Sequence, residues 1–293
     1  MKVAIYGNQA NDDSVSYIQN LFVKLEKLNI QALVYQPFYE ILKQNVKIPS
    51  GFKIFKEYEN IKGNVDCMLS IGGDGTFLET ISLIRDSEIP VLGINTGRLG
   101  FLASVAKEDI DSAIDLLLQK KYTLDKRGLL RLETPGKLFG KFNYALNEMT
   151  ILKKDSSAMI TIHAYVNGEF LNSYWADGLI VATPTGSTAY SLSSGGPIVV
   201  PDSENFIITP IASHNLNVRP IIVSDKNTIT LKVEGRSKNY LVSLDSRSEI
   251  IDSSTELTLK KENFKINFIK LKTHNFFNTI RNKLLWGIDR RNY

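Results

Sequence analysis

The sequence predicts an α/β N-terminal domain built on a parallel, Rossmann-like sheet, followed by an all-β, sandwich-like C-terminal domain. Three observations predict it. Strand-like and helix-like segments alternate in the first part of the chain, short β-type runs take over near Tyr122, and the tail from Asn275 returns to helical character. Repeated β-α alternation implies parallel strands with helices on both faces. The expected division is 1–122 (α/β), 123–274 (all-β) and 275–293 (a helical tail packing on the first domain). A length of 293 residues agrees with more than one domain.

Residues 2–6 read as the first strand, and Ile18, Leu21, Phe22, Leu25 and Leu28 keep helical spacing after it. Strands follow at 32–35 and 66–71, then a glycine turn, a helix from Phe77, and a strand at 89–94. Ile110, Ala113, Ile114, Leu117 and Leu118 mark one helix face. In the second domain Ile160, Ile162, Ala164 and Val166 alternate with Thr161, His163 and Tyr165, and Asn167-Gly168 supplies a hairpin turn into 170–174. Further strands are expected at 206–209, 221–223, 228–233, 240–244, 256–260 and 264–271. In the tail Phe276, Ile280, Leu284 and Leu285 share a side.

Composition narrows the function. No apolar run approaches the roughly 18 residues of a membrane span, and the N-terminus lacks a signal peptide's long apolar region. The single cysteine, Cys67, excludes an intrachain disulfide and points to a reducing cytoplasm, with core packing as its role. A net charge of +4 suits anionic small molecules and is too weak to argue for nucleic acid. The three histidines lie far apart without ligand spacing, so no metal-ligand set is read from the chain.

The stretch Ile71-Gly72-Gly73-Asp74-Gly75-Thr76 lies at a strand-to-helix turn. Glycines there let backbone N–H groups approach phosphate oxygens, and the helix N-terminus adds partial positive charge. A carboxylate repels phosphate unless it binds a cation or takes a proton from an attacking hydroxyl, which points to phosphoryl transfer. The bland alternative is Asp74 as a helix N-cap. A second segment, 184–197, packs hydroxyls and glycines around Tyr190, offering neutral donors to a polar anionic ligand. Asn147-Glu148 is a third element, unremarkable by itself.

Together these motifs resemble the NAD kinase family over nearly the whole chain. The resemblance rests on 72–78, 93–102, 145–148, Asp177-Gly178, 183–190, 195–198, 209–214, Arg219-Pro220 and 243–246, in the family's order. It implies transfer of the γ-phosphate of ATP to the 2′-hydroxyl of the adenosine ribose of NAD, with a divalent metal, expected to be Mg2+. Asp74 would be the catalytic residue, as base or organiser of metal and phosphates, and Gly72, Gly73 and Gly75 would cradle phosphates. Asn147 and Glu148 would hold adenine and ribose hydroxyls, and Thr188, Ala189 and Tyr190 would frame the adenine. Ser191 and Leu192 continue that binding run, Asp177 and Ser193 would contact the nicotinamide end, and Ala212 and Arg247 are further pocket positions. The resemblance also implies a homodimer or homotetramer. Trp175 stands where many relatives carry a basic residue. Two rivals remain at this point: a lipid kinase of the diacylglycerol or sphingosine type sharing the Gly-Gly-Asp-Gly turn, and a non-catalytic dinucleotide sensor.

Overall fold

A computed structural model describes residues 1–97, 100–154, 158–237, 239–271 and 275–286. The chain divides into two units, Met1–Lys126 with Ile266–Tyr293, and Arg127–Lys265.

The first unit runs β1 (Lys2–Gly7), α1 (Asp12–Lys27), β2 (Gln31–Tyr35), α2 (Gln36–Leu42), β3 (Lys53–Phe55), α3 (Tyr58–Ile61), β4 (Cys67–Gly72), α4 (Asp74–Ile84), β5 (Val91–Asn95), β6 (Val105–Ala106) and α5 (Ile110–Leu118). Its strands lie in the order β5-β4-β1-β2-β3, all parallel. Val3, Ile5, Leu69 and Ile71 are buried with Ile18, Leu21, Phe22 and Leu25 of α1 and Ile110, Ala113, Ile114 and Leu117 of α5. Those helix positions are the ones their 3.6-residue spacing marks. Leu28 and Leu118, counted on these faces in the sequence, are exposed instead.

α2, β3 and α3 carry too few residues for a periodic pattern, so nothing local announces them; α2 starts with a proline in its first turn, where no N–H is needed. Cys67 is buried in β4, and burial, then the Asp66 charge, pushes its thiol up to about 12. Among the described residues no helix is long and apolar enough to cross a membrane.

β7 (Tyr122–Glu133) runs from the first unit into the second, which continues with β8 (Tyr144–Ala145), β9 (Glu148–Lys153), β10 (Ile160–Val166), β11 (Glu169–Ala176), β12 (Gly178–Ala182), α6 (Tyr190–Ser193), β13 (Asn205–Ile211), β14 (Ile221–Ser224), β15 (Ile229–Glu234), β16 (Tyr240–Leu244), β17 (Arg247–Ile251) and the first part of β18 (Leu257–Leu271). One antiparallel sheet has the order β14-β13-β12-β9-β16-β17. A second layer pairs β11-β10-β15-β18, also antiparallel here. Alternate residues of both, among them Ile162, Leu231 and Leu259 against Met149, Leu179 and Val242, form one core, as in a sandwich.

β18 is one strand where the sequence suggests two, and it carries the chain from the second unit back to the first at Ile266 rather than at 274. The polar run 260–263 interrupts the apolar pattern, yet its charges are paired: Lys260 with Glu133 at 2.9 Å and Lys261 with Asp225 at 2.7 Å. Beyond it, Phe268 pairs in parallel with Val91 of β5.

The tail forms α7 (Phe276–Leu284), capped by the Asn275 side chain accepting from the Phe277 N–H at 2.9 Å. Ile280 is buried, whereas Leu285 is 66% exposed. Leu285 ends the helix in a left-handed conformation that turns it off the buried side. Residues 287–293 of the expected tail lie outside the described residues.

Candidate active site

In the first unit β1 and β4 are neighbours, while the chain leaves them toward opposite sides of the sheet. This is a topological switch point, and ligands of open parallel sheets bind beyond the carboxyl ends of strands there. Asn8 follows β1 and Gly73-Asp74 follows β4. The two loops are tied together: Thr76 donates to Asn8 Oδ1 at 3.0 Å, while Asn8 Nδ2 and the Tyr6 hydroxyl donate to Glu79 at 2.8 and 2.7 Å. Burial, then the hydrogen bond to Glu79, pushes the Tyr6 phenol up.

Asp74 is the first residue of α4, and Gly73 is its cap. The carboxylate does not cap the helix. Oδ2 accepts the Phe101 N–H at 2.8 Å, and Oδ1 accepts those of Leu102 and Ala103, both at 3.0 Å. A carboxylate offers about four lone-pair directions, so one on Oδ2 stays open among the described residues. Gly100 makes the arrangement sterically possible, because a Cβ there would lie 1.8 Å from Asp74 Oδ1. By contrast, a Cβ on Gly73 or Gly75 would meet nothing within 4 Å, so the backbone of this turn is open to a ligand. Gly72, at the end of β4, is buried. Of the neighbouring Asn95-to-Leu102 motif, Arg98 and Leu99 lie outside the described residues.

In the second unit the two-residue link between β8 and β9 places Asn147 and leads into Glu148. Every backbone polar group of 146–148 has a partner, as buried backbone requires. Asp245 accepts the N–H groups of Leu146, Asn147 and Glu148 at 2.9, 2.8 and 3.2 Å. The Thr183 hydroxyl and N–H donate to the Leu146 and Asn147 carbonyls at 2.5 and 2.8 Å, and the Asp245 N–H donates to the Glu148 carbonyl at 3.0 Å. Gly186 packs so closely that a Cβ would lie 2.1 Å from the Asn147 carbonyl oxygen.

The side chains contrast with this saturated backbone. Asn147 Oδ1 and Glu148 Oε2 are buried without a hydrogen-bond partner among the described residues. Such atoms cost about 1–3 kcal/mol each when left unpaired, and a ligand with matching groups recovers that cost. Burial, then the charge of Asp245, pushes the Glu148 carboxyl up to about 8, against one N–H from Tyr190. Burial also pushes Asp245 up, but three N–H donors and Arg247 oppose it there. Burial thus raises both carboxyls, with more hydrogen-bond opposition at Asp245 than at Glu148.

A carboxyl raised in the folded state binds a proton that the unfolded chain releases above its ordinary value near 4.3. Its stabilising contribution is full below that value and is lost as pH rises through about 8. Ligand-free protein is expected to lose stability between pH 5.5 and 7.5 with a slope approaching about 1.4 kcal/mol per unit. Glu148→Gln should flatten that slope in denaturant unfolding. Equal slopes would show that Glu148 is ionised in the fold.

The remaining expected residues are dispersed around 177–193 and two further loops. Asp177 pairs with Lys153 at 2.5 Å. Ser191 is buried and bonded to Thr209 at 2.9 Å, whereas Ser193 is exposed and Leu192 partly so. Thr188 donates to the Thr185 carbonyl at 3.3 Å, Ala189 is partly buried, and the Tyr190 ring is 40% exposed. Ala212 is exposed at φ +45, a left-handed conformation that costs a non-glycine residue energy and recurs at functional sites. Trp175, 46% exposed, packs against His214 with ring centroids 4.4 Å apart and the planes tilted by 54°. Arg247 donates to the carbonyls of Phe142 and Tyr144. Asp245, Thr183 and the Phe101–Ala103 amides are the participants to which sequence reasoning gave no role.

Family models decide what this set of residues belongs to. The ATP-NAD kinase N-terminal domain matches residues 3–122, and the ATP-NAD kinase C-terminal domain matches 146–271. The chain belongs to the NAD kinase family. Among curated relatives, the NAD kinase of Cytophaga hutchinsonii is 52% identical over 293 residues and that of Flavobacterium psychrophilum 49% over 294, each covering all of both chains. An NAD kinase from Archaeoglobus fulgidus, solved in complex with ATP, is 26% identical with TM-score 0.74, over 97% of this chain and 99% of that one. Yeast NADH kinase complexed with NADH, 24% identical, shares the fold at TM-score 0.86, over 99% of this chain and 89% of that one. Membership of this family makes the chain a phosphotransferase.

Proposed function

We propose that the chain phosphorylates the 2′-hydroxyl of the adenosine ribose of NAD with the γ-phosphate of ATP, forming NADP. The observation that carries this reading is Asp74, an anchored carboxylate with one open lobe at the switch point of the first unit's sheet. In this reading the Oδ2 lobe takes the proton of the 2′-hydroxyl as its oxygen attacks the γ-phosphorus. The new O–P bond forms as the bond to the β,γ-bridging oxygen breaks, and ADP leaves with that electron pair. The open backbone of Gly73 and Gly75, with Gly72, holds phosphate oxygens.

Among the described residues no three His, Cys, Asp or Glu side chains group as a metal cage. A divalent metal such as Mg2+ would be held chiefly by the donor's own phosphate oxygens and water, with the negative charge of Asp74 nearby, and would neutralise charge at the γ-phosphate, leaving the open Oδ2 direction to the 2′-hydroxyl.

Asn147 and Glu148 take the adenine and ribose hydroxyls, which supplies partners for Asn147 Oδ1 and Glu148 Oε2. Thr188, Ala189 and Tyr190 frame the adenine, with Ser191 and Leu192 shaping the same run. Asp177 and Ser193 meet the nicotinamide end, and Ala212 borders it. The reading includes a homo-oligomer and a cytoplasmic setting, which the buried, unpaired Cys67 suits.

An NAD analogue lacking only the adenosine 2′-hydroxyl tests the site of phosphorylation. It is expected to compete with NAD and to accept no phosphate; its phosphorylation would overturn the assignment. Glu148→Ala should raise KM for NAD by at least about 10-fold, with a smaller change in kcat. Unchanged KM with a poor kcat would remove Glu148 from acceptor binding.

A further inference from the structure

Asp245 and Arg247 flank a tight turn of the second unit, where Leu244 and Arg247 are directly paired and Asp245 sits at φ +52. An aspartate tolerates that left-handed conformation better than most residues. The turn presents a carboxyl and a guanidinium, in that order, to one short stretch of chain. The carboxyl accepts three consecutive N–H groups, 146 to 148, and the guanidinium donates to two carbonyls, Phe142 and Tyr144. The guanidinium also lies 5.8 Å from the Tyr144 ring centroid.

Three features argue against an incidental contact. The partners lie about a hundred residues apart, with separations of 97 to 105. The bonds run to backbone alone, so they fix the path of 142–148 whatever its side chains. That fixed path is what holds Asn147 Oδ1 and Glu148 Oε2 buried and unpaired. Left free, the link would turn those two atoms toward water and satisfy them. Pre-setting them removes that reorganisation from the cost of binding.

We propose that Asp245 and Arg247 are positioning residues that clamp 142–148 from both backbone polarities and thereby set the affinity for the acceptor dinucleotide. The proposal rests on the reading of Asn147 and Glu148 as the adenosine-binding pair. Arg247 then acts through Phe142 and Tyr144, not by contact with the ligand. The donor nucleotide lies outside its influence.

The test joins amide hydrogen exchange with kinetics on the full chain, using wild type, Asp245→Asn, Arg247→Ala and Arg247→Lys. Without substrates, Asp245→Asn should speed exchange at 146–148 by at least about 10-fold while β12 and β16 stay protected. Arg247→Ala should raise KM for NAD by at least about 10-fold and leave KM for ATP within about two-fold. Arg247→Lys, whose ammonium still donates to a carbonyl, should recover part of the loss. Unchanged exchange in Asp245→Asn overturns the clamp. Equal changes in both KM values, or none in a folded Arg247→Ala, overturn its link to the acceptor. If Asp245→Asn fails to fold, the Arg247 pair and its KM split decide the matter. Faster exchange together with a wild type that neither binds nor uses NAD would sink the functional reading and leave the clamp as a structural device.

Discussion

Gly100→Ala is expected to lose at least about 3 kcal/mol of stability and about 10² in kcat, although it adds a single methyl group. The new Cβ would stand 1.8 Å from Asp74 Oδ1 and 2.4 Å from its Cγ, so both cannot keep their places. Either the carboxylate leaves its three N–H donors, or the segment from Phe101 to Ala103 moves with it. The first choice strands three amides, and the second displaces the reacting group by about an ångström or more, which is enough to cost about 10² in rate. Thermal unfolding and turnover of the purified variant check this. A melting temperature and kcat near wild type would show that the carboxylate does not depend on this nest.

Asp74→Asn should lower kcat by at least about 10², the contribution typical of a positioned general base. The sequence alone gives no reason for a stability cost, but the geometry does. An asparagine oxygen can still accept from Leu102 and Ala103, leaving its amide group facing the Phe101 N–H, donor against donor. That mismatch should cost about 1–3 kcal/mol, so the variant should fold with a lowered melting temperature. Turnover must be measured well below that temperature, so that loss of base and loss of fold are separated. A folded Asp74→Asn with near-normal kcat would remove Asp74 from catalysis.

Much of the fold and part of the site are legible in the sequence. Ile18, Leu21, Phe22 and Leu25 announce α1 by spacing, and Ile160 to Ala164 announce β10 by alternation, because one face of each is buried. Gly72 to Thr76 reads as a strand-to-helix turn with a carboxylate between glycines, and it lies at the end of β4 and the start of α4. What holds that carboxylate is not legible. The Phe101, Leu102 and Ala103 amides donate through backbone, which carries no residue identity, across 27 to 29 positions. Asp245 is hidden for the same reason, since its partners are three amides nearly a hundred residues upstream. The sequence divides β18 in two because the polar run 260–263 interrupts its apolar pattern, and the partners of its lysines, Glu133 and Asp225, lie far away in the chain. Leu285 looks apolar and core-facing in a helical count, but the helix ends one residue earlier and turns it outward.

The most direct test of the central claim is the product formed by wild type from NAD and ATP–Mg2+, with phosphorus NMR locating the new phosphate. The account predicts NADP, phosphorylated on the adenosine 2′-oxygen, in amounts equal to the ADP released. A folded protein that yields no NADP, or that consumes ATP only when a diacylglycerol or sphingosine acceptor is supplied, would contradict it.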